Sequence, residues 1–224
     1  MSRSSTPKEP KASESNLNWI ANFIWGIADD ILRDVYVHGK VRDVILPMTV
    51  IRRLDAVLEP TKQNVLDMKK RLDAAGITNQ ESALASAAGQ AFYNASPYTL
   101  RDLAARARRQ QLRADIEAYL NGFADNVQEI LDKFKFRNQI TTLVEADALG
   151  FLIEKYLDSS INLSPEPVVD RDGRVVRQGL DNHAMGTLFE ELMRRFNEEA
   201  ILKAGRHMEA FPVYIKGNLC YTLI

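Results

Sequence analysis

The densest grouping of side chains able to do chemistry is the run RDLAARARRQQLR, residues 101–113, which carries Arg101, Arg106, Arg108, Arg109 and Arg113. Guanidinium groups at this density suit a phosphate backbone, because each contact displaces condensed counterions and adds affinity that is indifferent to base sequence. On one continuous helix Arg106, Arg109 and Arg113 share a face. The same run also reads as a solvated helix face, or as arginines paired with the chain's own carboxylates. A sparser basic group, Lys40, Arg42, Arg52 and Arg53, has Asp43 and Asp55 close by in sequence, and structural pairing is expected there.

Other candidate groups point away from catalysis. Trp19, Phe23 and Trp25 could stack on a base, but helix packing is the expected use of aromatics at this spacing. Asp29, Asp30 and Asp34 have no His or Cys at ligand spacing, so no metal site is assigned. His183 and His207 stand apart from any plausible nucleophile, and no catalytic residue is assigned. A cofactor site for S-adenosylmethionine calls for a strand followed by a glycine-rich turn, and none is visible. No cofactor-binding residue is therefore expected in this chain.

The elements that must position the arginines are helical. Apolar residues recur at helical spacing from Leu17 to Val35 and from Val41 to Leu58, with His38-Gly39 as the stop between the two patterns. Pro47 inside the second pattern predicts a kink or a restart. Pro60 opens a third helix that Gly76 closes, and a short helix near residues 80–88 follows. Ser96-Pro97 opens a long helical region with apolar positions from Leu100 to Leu120, broken by Gly122. Phe123, Val127, Ile130, Leu131 and Phe134 fall on one face of the next helix, and a helix pair covers residues 137–144 and 149–157. Val168-Val169 and Val175-Val176 flank Asp170-Arg171-Asp172-Gly173 as a small β-hairpin would. Asp181 then caps a helix whose face holds Met185, Leu188, Phe189, Leu192 and Phe196, with Glu190 and Glu191 four residues before Arg194 and Arg195. The fold class is mainly α: a multi-helix bundle with one small hairpin near 168–176.

With 224 residues, 46% of them hydrophobic and 26% charged, the chain can bury a substantial core. Its net charge of -1 gives no global attraction to nucleic acid, so any contact with DNA rests on a local patch. A single cysteine, Cys220, excludes an internal disulfide framework and fits a reducing, cytoplasmic setting. No run approaches the roughly 18–20 apolar residues that span a bilayer, and the Ser-, Lys- and Pro-rich start lacks the apolar core of a secretory signal. Residues 1–15 offer little to bury and are expected to form a disordered tail. Residues 16–199 are expected to form the helical domain, and residues 201–224 show neither a clear helical period nor a coherent strand alternation.

The segment IANFIWGIADDILRDVYVHGKVRDVILPMTVIRRLDAVL, residues 20–58, closely resembles the opening of the modification (DNA methyltransferase) subunit of type I restriction-modification systems. FADNVQEILDKFKF and LDNHAMGTLFEELMRRFNEE resemble later blocks of the same N-terminal helical domain, in the same order, so the likeness covers about residues 16–199. After Ala200 the chain departs from the family pattern into ILKAGRHMEAF, and the family's catalytic domain, with its cofactor loop and NPPF motif, is absent. Residues 200–224 are therefore read as a diverged or non-native tail. The resemblance implies a subunit that, at full length, transfers a methyl group from S-adenosylmethionine to adenine N6 in double-stranded DNA. It further implies a specificity subunit, a restriction subunit and a second modification subunit as partners, with this domain assembling and clamping. The competing expectation is a self-contained helical protein-protein interaction module with no enzymatic parent.

Overall fold

The computed structural model describes residues 14–36, 40–106 and 109–204. Helix α1 (Glu14–Ile27) widens into a π-helical turn at Ala28–Leu32; α2 (Arg42–Leu58) leads through a 3-10 turn (Glu59–Thr61) into α3 (Lys62–Ala74) and α4 (Glu81–Ala88). After these come α5 (Leu100–Ala105), α6 (Arg109–Asn121), α7 (Asp125–Phe134), α8 (Arg137–Glu145) and α9 (Ala148–Tyr156). Strands β1 (Val168–Val169) and β2 (Val175–Arg177) pair antiparallel before the last helix, α10 (Asn182–Ala204). The class is mainly α, as the helical spacing of the apolar residues requires. No helix among the described residues is long and apolar enough to cross a membrane.

Helix α2 is the axis of the core. Val44, Ile45, Met48, Val50, Ile51 and Leu54 are each almost wholly removed from solvent, which at about 25 cal/mol per Å² is the dominant stabilising contribution. Around it one continuous cluster gathers Ile20, Ile24 and Ile27 of α1, Leu100 and Leu103 of α5, Ile116 and Leu120 of α6, Val127 and Leu131 of α7, and Leu188 and Leu192 of α10. The five aliphatic and aromatic positions read along residues 123–134 are all buried, and so are the five along α10. Trp25 packs its ring on Phe196 at 4.7 Å between centroids, so it serves packing, whereas Trp19 remains 46% exposed and touches Phe23 at 5.7 Å.

Several expectations are corrected. The long helix expected over residues 96–120 is two helices: α5 starts at Thr99, whose hydroxyl accepts from the Asp102 N–H while Asp102 accepts from the Thr99 N–H, and it ends at Arg106. A reciprocal cap of this kind satisfies otherwise orphaned donors and fixes the start at Thr99 rather than Ser96. Helix α2 runs uninterrupted through Pro47 and does not restart there; only the Asp43 carbonyl forfeits a backbone donor, and burial on nearly every side holds the helix together. The His38-Gly39 stop lies outside the described residues. Helix α1 begins at Glu14, inside the expected tail, while residues 1–13 lie outside the described set. Helix α10 continues through residues 201–204, beyond the expected domain end at 199, and 205–224 are outside the described residues. On α10 the expected i,i+4 pair of Glu191 with Arg195 forms at 2.6 Å, while Arg194 lies 2.8 Å from Glu191 and 2.6 Å from Glu198.

Candidate functional site

The arginine-bearing corner of α5 and α6 is assembled from below by buried polar groups. Asp55 on α2 accepts hydrogen bonds on Oδ1 from the Leu100 N–H at 3.0 Å and the Tyr119 hydroxyl at 3.0 Å, and its Oδ2 lies 3.7 Å from Arg52. One carboxylate thereby fixes both the first turn of α5 and the last turns of α6. Burial pushes its pKa above the usual carboxylate range, against the pull of the hydrogen bonds and of Arg52. Tyr119 is raised as well, first by burial and then by the neighbouring Asp55 charge.

Beside Asp55, Lys62 Nζ donates to the Asn94 carbonyl at 3.1 Å and to Asn94 Oδ1 at 3.0 Å. The charges of Asp55 and Asp102 offset burial only in part, and the ammonium pKa falls to about 8. Asn94 in turn donates to the Tyr119 carbonyl at 3.0 Å and accepts from the Ser96 N–H at 2.9 Å. Gly122 is required at this junction, since a Cβ there would lie 2.4 Å from the Ser96 nitrogen.

On the outside of this platform the arginines are engaged by acids. Arg101 lies 3.6 Å from Glu59, Arg113 lies 3.2 Å from Glu117, and Arg106 lies 3.7 Å from Asp115 with its guanidinium 4.9 Å from the Tyr98 ring centre. The single face expected for Arg106, Arg109 and Arg113 is divided, because Arg106 ends α5 and Arg113 belongs to α6. Arg108 and the side chain of Arg109 lie outside the described residues. In the second basic group, Arg42 pairs with Asp43 at 3.5 Å and Arg52 with Asp55 at 3.7 Å, as their spacing suggests.

Arg53 does something else. It is 2% exposed and donates from Nη1 to the Leu163 and Leu180 carbonyls, both at 2.7 Å, and from Nη2 to Asn182 Oδ1 at 2.8 Å. Burial lowers its pKa to about 10, with Asp181 opposing, so it stays charged at neutral pH. The Leu180 N–H also bonds the Ser164 carbonyl at 2.8 Å, and Asn162 Nδ2 spans the Glu166 and Gln178 carbonyls at 2.8 and 3.1 Å. Together these bonds close the neck from which β1 and β2 project. Linear spacing marks Arg53 only as one of a basic group and does not mark Lys62, Asn94 or Tyr119, because apart from Ser96 beside Asn94 their side-chain hydrogen-bond partners lie 25 or more residues away; Asp55 was visible only as a local partner for arginine.

A solvent-open cleft of about 740 Å³ lies between the α3–α4 hairpin and the α6–α7 junction, lined by Lys69, Gln80, Glu81, Tyr93, Asn121 and Asp125 among others. Burial, then Glu81 and Asp125, raises the Tyr93 phenol. Among the described residues no group of three or more His, Cys, Asp or Glu side chains is arranged to hold a metal.

Comparison with known proteins adds one family. The family model described as the HsdM N-terminal domain matches residues 20–156, from α1 to the end of α9. No curated protein and no solved structure matches the chain.

Proposed function

We propose, from the premise that this chain belongs to the HsdM N-terminal domain family of type I restriction-modification methyltransferase subunits, that it is the assembly and DNA-clamping domain of such a subunit. The family match across residues 20–156 carries the proposal. The platform supports it: Asp55, Lys62 and Asn94 fix the backbone of an arginine-bearing corner while leaving those arginines at the surface. The partners are the specificity subunit, the restriction subunit, a second modification subunit and double-stranded DNA, met in the cytoplasm.

At full length the subunit would transfer a methyl group from S-adenosylmethionine to adenine N6, and the cofactor would be held by other polypeptide. The described residues do not fit it. Their strands, β1 and β2, are joined by a solvent-facing turn whose Asp170 carboxylate already accepts the Asp172 and Arg174 N–H groups, leaving no cradle against a sheet.

Co-expression with the specificity subunit of a type I system and a full-length modification subunit tests the assembly role. The chain should co-elute with them by size exclusion, and its separate elution overturns the proposal. Tritium from labelled cofactor should not enter DNA with the purified chain alone; incorporation refutes the placement of the cofactor. For phosphate contact, Arg101→Ala and Arg113→Ala should each weaken duplex binding and lower the salt slope by about 1. Unchanged slopes remove these two arginines from the DNA surface.

A further inference from the structure

Four of the seven large apolar side chains exposed among the described residues sit on one small ribbon: Val168 (46%), Val169 (53%), Val175 (49%) and Val176 (53%). A two-stranded hairpin is marginally stable by itself, and this one buries none of those valines against the bundle. Its shape is nevertheless fixed. Gly173 takes φ of +78° at the turn, the Asp170 carboxylate accepts the Asp172 and Arg174 N–H groups, and the neck is closed by Arg53 and Asn162. Gly179 tightens that neck, since a Cβ there would lie 2.0 Å from the Pro165 carbonyl oxygen. An apolar ribbon held rigidly in solvent is preorganised for a partner.

The charges around it select the partner. Arg174 and Arg177 bracket Val175 and Val176 of β2, and among the described residues neither forms an ion pair within 4 Å, unlike Arg101, Arg106 and Arg113. DNA is a poor fit: Glu166, Asp170 and Asp172 balance Arg171, Arg174 and Arg177 over the segment, and exposed valines add nothing to phosphate binding. A second copy is also disfavoured, because antiparallel self-pairing of β2 sets arginine against arginine.

We propose that this ribbon is a protein-docking arm that accepts an extended apolar strand with acidic ends along β2, by strand addition. The inference rests on the assembly reading above and names the chemistry of one docking surface within it.

Fluorescence anisotropy on the whole chain tests it, using a labelled peptide of alternating valine and threonine with glutamate at both ends, and a control with lysine at both ends. The glutamate-ended peptide should bind about tenfold more tightly than the control. Val175→Ser with Val176→Ser should weaken it by a similar factor with the circular dichroism spectrum unchanged, and Arg174→Glu with Arg177→Glu should invert the preference. Equal binding of both peptides, no binding, or capture of duplex DNA in place of peptide by a valine-dependent route overturns the inference. Co-elution with the specificity subunit reports separately on the assembly reading: its survival without peptide binding removes only the docking arm, and its loss with peptide binding intact removes only the assembly role.

Discussion

Arg53 donates three hydrogen bonds to uncharged acceptors from a site that is almost sealed from water. Arg53→Met leaves the Leu163 and Leu180 carbonyls buried without a donor, so it should cost about 3 kcal/mol in guanidinium unfolding. Arg53→Lys should recover only part of this, because one ammonium cannot span the acceptors that the planar fork reaches. Lys62 is likewise a buried cation among uncharged acceptors. Its pKa of about 8 lies below the ordinary 10.5, so the unfolded chain binds more protons between those values and stability rises as pH climbs through that window. Tyr36, raised to about 12 chiefly by burial, acts in reverse: the stability it contributes is complete below pH 10 and lost as pH rises through its folded value. Unfolding followed against pH should therefore show stability increasing from about 8 and turning over near 10, with a gain of up to about 2 kcal/mol after allowance for solvent screening. Lys62→Met should abolish the rise, and its persistence in that variant would assign it to another group. The helical repeat made Arg52 with Asp55 legible, as i,i+3 neighbours are on one face. It could not show that the adjacent Arg53 turns inward, because its acceptors lie more than a hundred residues away.

Glycines expose the differing demands of the helices and their junctions. Gly26 lies within α1 with nothing within 4 Å of an added Cβ, so Gly26→Ala should stabilise by up to about 1 kcal/mol through reduced backbone entropy in the unfolded chain. At Gly122 the same change drives a methyl into the Ser96 backbone and should lower the thermal midpoint sharply. Thermal melts of the two variants should move in opposite directions, and movement in the same direction would contradict the packing described at the α6–α7 junction. Helices α7 and α10 were legible because their apolar faces coincide with their buried faces and their boundaries carry polar residues. The break between α5 and α6 was hidden, since apolar spacing and helix-favouring Ala and Arg continue through it. One local cue did exist: Thr99 and Asp102 stand at capping-box spacing, which marks a helix start three residues beyond Ser96.

The family match stops at residue 156, yet the core does not. Met185, Leu188, Phe189, Leu192 and Phe196 of α10 are buried, Phe134 meets Phe189 edge-on at 6.3 Å, and Arg195 reaches Asn22 of α1 at 2.7 Å. Withdrawing these side chains would forfeit on the order of 10 kcal/mol, comparable with the whole stability of an ordinary domain at about 5–15 kcal/mol. A chain cut after residue 157 should lose cooperative unfolding and expose dye-binding apolar surface; a sharp, unshifted melt would show that α10 is dispensable. Order along the sequence was therefore enough to place most of the helices and to name their family, while the α5–α6 break, the closing role of α10 and the polar platform required three-dimensional proximity. The sealed neck between Ser164 and Leu180 carries a practical corollary. Since its two ends meet on bonds that belong to the bundle, residues 167–177 can be exchanged for an affinity epitope or a fluorophore-bearing loop with the helices left seated, making this a grafting port for tracking the protein in living cells once the docking arm is given up.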